Sequence, residues 1–197
     1  LLSGVSMIAG CAPEQPQQII TPEPFVSEPP FATPELVEVR RSAITSSDFL
    51  KANGKEVCKD YGRGEVVKLR GVNVGGYMLQ EFWMTPTKYN YDNYKVTCEM
   101  DIYKTLTDRF GEETMRRLVS VYQDNYWTEA DFDNCVELGI NVIRLPIWYM
   151  NLVDFNGEFL PNAFDRLDWF IDEAGKRGIY VIIDMHGAPG SHSGSDH

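Results

Sequence analysis

Two apolar runs in this chain end in reactive side chains. Arg144 follows Gly139-Ile140-Asn141-Val142-Ile143, and Asp184 with His186 follow the closely similar Gly178-Ile179-Tyr180-Val181-Ile182. A guanidinium, a carboxylate and an imidazole are thereby delivered to one shared rim, as the strands of a parallel α/β sheet do at a site. A metal-dependent reading is open to the same stretch, because Asp184, His186, His192, Asp196 and His197 fall within fourteen residues and zinc and manganese sites use such side chains. Barrel metal sites usually collect ligands from several strands, and no metal is assigned here. Each residue also has a plainer role: Arg144 as a structural ion-pair partner, Asp184 as an orienting carboxylate or strand-end turn former. Trp83, Trp148 and Tyr149 are aromatic platforms for a ring-shaped ligand or core residues, and Trp148 is the one assigned to substrate.

Placing these groups requires a particular order of elements. Glu65 to Val72 reads as a strand running into Asn73-Val74-Gly75-Gly76, where paired glycines allow a sharp turn. Helical spacing follows from Cys98 to Trp127, with Ile102, Leu106 and Phe110 on one face, then Met115, Leu118, Val119 and Tyr122. Thr128-Glu129-Ala130-Asp131 is a capping-box-like start for the helix that Gly139 closes. Asn162 caps the next, whose apolar face carries Phe164, Leu167, Phe170, Ile171 and Ala174 before Gly178. The order strand, helices, strand, helix, strand is that of an α/β chain with parallel strands and a site at their C-terminal ends. Three strands cannot close a (β/α)8 TIM barrel, so the chain is expected to be its opening portion, about three βα units, from a longer protein. Upstream, Phe49 to Cys58 reads as a hairpin turning at Asn53-Gly54 in a type I′ turn.

The 197 residues are 43% hydrophobic and 12% aromatic, enough for a sizeable core, and the formal charge of −11 with pI near 4.7 argues against a nucleic-acid partner. Residues 1–10 are apolar and small, and Ile8-Ala9-Gly10-Cys11 resembles the lipobox of bacterial lipoproteins, which makes Cys11 the expected lipid attachment residue and residues 1–10 a truncated signal. Residues 11–45 form a linker whose prolines (Pro13, Pro16, Pro22, Pro24, Pro29, Pro30 and Pro34) suit an extended spacer holding a domain, residues 46–197, off a membrane. An extracytoplasmic, membrane-anchored location is expected, with secretion the alternative. Cys58, Cys98 and Cys135 show no metal spacing; Cys135 is expected as a buried thiol, and a Cys58–Cys98 disulfide is open.

Four segments, in order, resemble the exo-β-1,3-glucanase-like branch of glycoside hydrolase family 5: Leu69-Arg70-Gly71-Val72-Asn73-Val74-Gly75-Gly76-Tyr77; Glu81-Phe82-Trp83-Met84-Thr85-Pro86; Gly139 through Ile147; and Asp184-Met185-His186-Gly187-Ala188-Pro189-Gly190-Ser191. The resemblance spans roughly residues 49–197. It implies a barrel that hydrolyses β-glucan with retention and without a cofactor. By the same resemblance Arg144 supports the nucleophilic carboxylate electrostatically, His186 and Glu81 hydrogen-bond sugar near the cleaved bond, and Asp196 contributes on the rim. Retaining hydrolysis needs two carboxyl groups about 5–5.5 Å apart, and the family's pair would follow His197. Tyr77 stands where a Trp is usual, and His192-Ser193-Gly194-Ser195-Asp196-His197 departs from the family's Gln-Asn-Gly-Phe-Asp-Asn. A surface-anchored glycan-binding protein on a degenerate barrel is the non-enzyme alternative.

Overall fold

The computed structural model describes residues 42–81, 84, 90–91, 94–96 and 98–189. Cys11, most of the proline-rich linker, Trp83, and the stretch holding His192, Asp196 and His197 lie outside the described residues. In chain order the elements are β1 (Lys51–Asn53), β2 (Glu56–Cys58), β3 (Gly71–Asn73), β4 (Asn90–Tyr91), β5 (Tyr94–Lys95), α1 (Glu99–Phe110), α2 (Glu112–Tyr126), α3 (Glu129–Glu137), β6 (Val142–Trp148), α4 (Asp165–Lys176) and β7 (Tyr180–Gly187).

The fold is α/β, and its central sheet runs β3-β6-β7 with both pairings parallel. Asn73 lies opposite Arg144, and Arg144 opposite Ile182. The repeated pentapeptide explains how both long strands begin. Gly139 (φ +73) and Gly178 (φ +69) turn the chain out of α3 and α4. The Ile140 N–H then donates to the Cys135 carbonyl (2.9 Å) and the Ile179 N–H to that of Ala174 (3.0 Å), the bond pattern of a glycine-terminated helix. The start of α3 is also as expected: the Asp131 carboxylate accepts from the Thr128 N–H (2.8 Å) and hydroxyl (2.9 Å).

Ile143, Leu145 and Ile147 of β6 are buried with Phe132 and Cys135 of α3 and Phe170 and Ala174 of α4. Burial pushes the Cys135 thiol up from its ordinary pKa, with Asp131 adding to the shift. A second cluster collects Leu79, Tyr103, Met115, Val119, Trp148 and Met150. The outer strand is different: Ile182, Ile183 and Met185 of β7 are 50%, 49% and 45% exposed.

Several local expectations are corrected. The hairpin turns at Gly54-Lys55, because Asn53 pairs with Glu56; Gly54 alone of the turn has positive φ (+64), the signature of a type II′ turn. β3 is shorter than Glu65–Val72. The Val67 N–H bonds the Val57 carbonyl, and the Asn141 side chain accepts from the Arg70 N–H (2.8 Å) and donates to the Lys68 carbonyl (2.9 Å), so this backbone is satisfied outside the ladder. α4 begins at Asp165, after a turn in which the Asn162 carbonyl rather than its side chain accepts the Asp165 N–H. On α1 the buried side chains are Glu99 and Tyr103 while Phe110 is 54% exposed; on α2 Gln123 is buried and Leu118 is not. Cys58, Cys98 and Cys135 are free thiols, with no Cys58–Cys98 bond.

Candidate active site

The parallel register brings Arg144 and Asp184 to one face of the sheet. Asp184 lies two residues beyond Ile182, the register partner of Arg144, so both side chains emerge on the same side with the carboxylate one pleat nearer the strand end. The two form an ion pair. On the other flank Arg144 Nη1 donates to Asn73 Oδ1 at 3.4 Å. Three adjacent strands thus converge on one guanidinium.

His186 owes its position to an irregularity. Ile147 pairs with Met185 but Trp148 pairs with Gly187, leaving His186 as the extra residue of a bulge, a device that re-aims one side chain within a sheet. Gly187 is required beside it: a Cβ there would sit 2.3 Å from Trp148 Cδ1 and 3.0 Å from Leu79 Cδ1. Imidazole Nδ1 lies 3.0 Å from Asp184 Oδ2 and 3.1 Å from Arg144 Nη2. Holding Nδ1 between these two groups turns Nε2 toward Glu81, whose Oε1 is 4.0 Å away. All four side chains are partly exposed, at 36% for Arg144, 30% for Asp184, 23% for His186 and 20% for Glu81. They therefore face space that a ligand can enter, and the contacts among Arg144, Asp184 and His186 fix those three before it arrives, which is what a preorganised polar site requires.

Of the sequence candidates, Arg144, His186 and Glu81 come together, and Asp184 joins them as the carboxylate that orients both cation and imidazole. Asp196 lies outside the described residues. Trp148 must be corrected: it is fully buried, edge-on to Tyr103 (4.8 Å, 80°) and Tyr149 (5.6 Å, 80°), and offers no ring face to a sugar. Among the described residues no group of three or more His, Cys, Asp or Glu could hold a metal ion.

Two residues with no role in the sequence reading belong beside this site. Asn73 was visible only as part of a motif. Glu99, at the first position of α1, is 1% exposed and accepts the Gln80 N–H at 3.1 Å, so it anchors the backbone immediately before Glu81. Burial raises its pKa to about 8, the neighbouring Glu81 charge adding and the Gln80 bond opposing. The only signal in the sequence was helical spacing, which puts Glu99 three residues ahead of Ile102 on the face that Ile102, Leu106 and Phe110 outline.

A family model described as cellulase (glycosyl hydrolase family 5) matches residues 98–196. The chain belongs to glycosyl hydrolase family 5. Relatives include a probable glucan 1,3-beta-glucosidase A of Aspergillus niger, 30% identical over 171 residues that cover 81% of this chain and 39% of the relative. A glucan 1,3-beta-glucosidase of Candida oleophila is 32% identical over 79% of this chain and 36% of its own length, and a probable glucan 1,3-beta-glucosidase A of Emericella nidulans 35% identical over 66% and 31%. The chain spans between 31% and 39% of the length of these relatives, all of them fungal.

Proposed function

We propose that the complete protein is a retaining glycoside hydrolase of β-1,3-glucan or a related β-glucan, and that this chain supplies the first three strands of its (β/α)8 barrel. The observation that carries the reading is the Asn73–Arg144–Asp184–His186 cluster at the C-terminal ends of three adjacent parallel strands, where barrels of this type assemble their sites, in a family 5 chain whose relatives are named for glucan 1,3-β-glucosidase activity. The exposed apolar side chains of β7 support the barrel: parallel strands are ordinarily covered on both faces, and here they await cover.

In this reading Arg144 places a fixed positive charge beside the nucleophilic carboxylate, and Asp184 holds it in position. His186 and Glu81 bind sugar hydroxyls, and Asp196 adds a rim contact. The two reacting carboxyl groups are expected from sequence following His197. No cofactor enters the reaction. Cys11 as an acylated residue, with membrane anchoring and an extracytoplasmic location, rests on the apolar residues 1–10, the Ile8-Ala9-Gly10-Cys11 run and the proline-rich spacer after it; the fungal relatives lend it no support. Detergent partitioning of the complete protein and its Cys11→Ser variant decides that point, unchanged association counting against acylation.

The functional test is steady-state kinetics of the complete protein and its Arg144→Ala and His186→Ala variants on laminari- and cello-oligosaccharides, with a melting curve for each. Arg144→Ala should lower kcat by about 10²–10³-fold, the usual size of one lost preorganised contact, and His186→Ala by a similar or smaller factor. Near-wild-type kcat/KM in both variants, or losses explained wholly by unfolding, would place the site elsewhere. Binding without hydrolysis by the wild type would favour the degenerate, glycan-binding alternative.

A further inference from the structure

A cavity of about 670 Å³ opens between α2, the start of α3, the start of α4 and the loop after β6. It shares no lining residue with the Arg144 cluster, and its volume falls in the range of small-ligand sites, about 300–1,000 Å³. Its wall contains an anomaly. Gln123 of α2 is only 7% exposed and borders the cavity, and none of the described residues gives its side-chain amide a hydrogen bond. The amide's two donors and one acceptor are reached from the cavity, so whatever fills it can bond them. In the same wall Trp127 Nε1 is sealed from solvent without a hydrogen-bond partner among the described residues, an arrangement that costs free energy unless a cavity ligand answers it.

The surrounding side chains define what that is. The two guanidinium groups are already committed: Arg166 to Asp124 and, at 3.1 Å, to Ser120 Oγ; Arg116 to Glu112 and to the Met150 and Val153 carbonyls. Asp124, Glu129 and Asp165 stand at the exposed rim. An anion would meet carboxylates and no uncommitted guanidinium. Trp127 and Trp169, both half-buried, supply flat apolar surface within the same cavity. Aromatic walls beside a neutral amide that both donates and accepts suit a ring with apolar faces and equatorial hydroxyls.

We infer that this cavity is a second carbohydrate site, taking a glucosyl unit of the β-glucan chain, with Gln123 bonding its hydroxyls and Trp127 and Trp169 flanking its ring. The identity of the glycan rests on the function proposed above; the neutral sugar chemistry does not. Such a site tethers polymer to the enzyme without taking part in bond cleavage.

The experiment is affinity electrophoresis of the complete protein in gels containing laminarin, hydroxyethylcellulose or a glucose-free neutral polysaccharide, with kcat/KM on an aryl β-glucoside measured alongside. Gln123→Leu removes the amide at nearly constant volume and breaks no protein hydrogen bond, so it should fold; Asn162→Ala alters the exposed rim as a second variant. The expected result is laminarin retention about tenfold weaker in Gln123→Leu, the loss of roughly one to two buried hydrogen bonds, and detectably weaker in Asn162→Ala, with aryl-glucoside kcat/KM within twofold of wild type. Unchanged retention in both variants overturns the site, whatever the catalytic result. Retention confined to another neutral polysaccharide and lost in the variants keeps the site and removes its glucan assignment. Absence of all β-glucan hydrolysis fells the function proposed above and leaves the retention comparison to decide the site.

Discussion

Replacing Glu99 with Gln should stabilise the complete protein increasingly as pH rises. The carboxyl is 1% exposed and its pKa is raised from 4.5 to about 8, chiefly by burial and further by Glu81, against the opposing Gln80 N–H bond. Tyr103 and Tyr122 also feel its charge, and Arg116 acts on Tyr103 from α2. Between pH 4.5 and about 8 the folded carboxyl keeps its proton while the unfolded one loses it, so the native state binds more protons and stability falls as pH rises through that window. At about 1.4 kcal/mol per pH unit the full penalty reaches roughly 3 kcal/mol at pH 7. Relaxation around a buried charge lowers this, so about 1–3 kcal/mol is the expected gain for Glu99→Gln at pH 7. The glutamine carbonyl can still accept the Gln80 N–H, so near pH 4.5 the two proteins should be close in stability. Urea unfolding of both at pH 5, 6, 7 and 8 reads the difference directly. A difference that does not grow with pH, or a variant less stable at pH 8, would show that Glu99 is not a buried, proton-holding anchor.

Other perturbations follow from contacts already described. Gly187→Ala forces a methyl against Trp148 Cδ1 (2.3 Å in the unrelaxed backbone) and should cost about 1–3 kcal/mol by overpacking, while displacing the bulge that carries His186; a melting curve and kcat measured together check both effects. Gly71→Ala puts a Cβ 2.3 Å from the Val142 carbonyl oxygen and should destabilise the β3–β6 pairing, read as faster amide exchange along β6 than in wild type. Asn141→Ala removes both side-chain bonds to the backbone of residues 68 and 70 and should cost about 1–2 kcal/mol in chemical unfolding. Asp131→Ala removes the capping box of α3 and should cost about 0.5–2 kcal/mol by the same assay.

What could be seen in the sequence was whatever depends on period and punctuation. The two Gly-Ile runs announced β6 and β7, because a glycine at a helix end and an unbroken apolar stretch each act locally. Given parallel strands, the meeting of Arg144 with Asp184 follows from register alone. Residues whose role depends on the far side of a packed interface were hidden. Trp148 reads in the sequence as an aromatic platform for substrate, yet Tyr103 from α1 and Met150 from the following turn close over it. Glu99 and Gln123 were hidden for the complementary reason: a polar letter on a helix reads as solvent-facing unless its burial is known. His186 lies between these cases. Its nearness to Asp184 was legible, but its orientation toward Glu81 depends on a one-residue bulge and on the small size of Gly187, which admits the Trp148 ring. The buried tryptophan that cannot touch a sugar is therefore part of the reason the histidine can: with Trp148 occupying the space beside Gly187, the chain bulges at His186 and turns the imidazole toward the open side of the site.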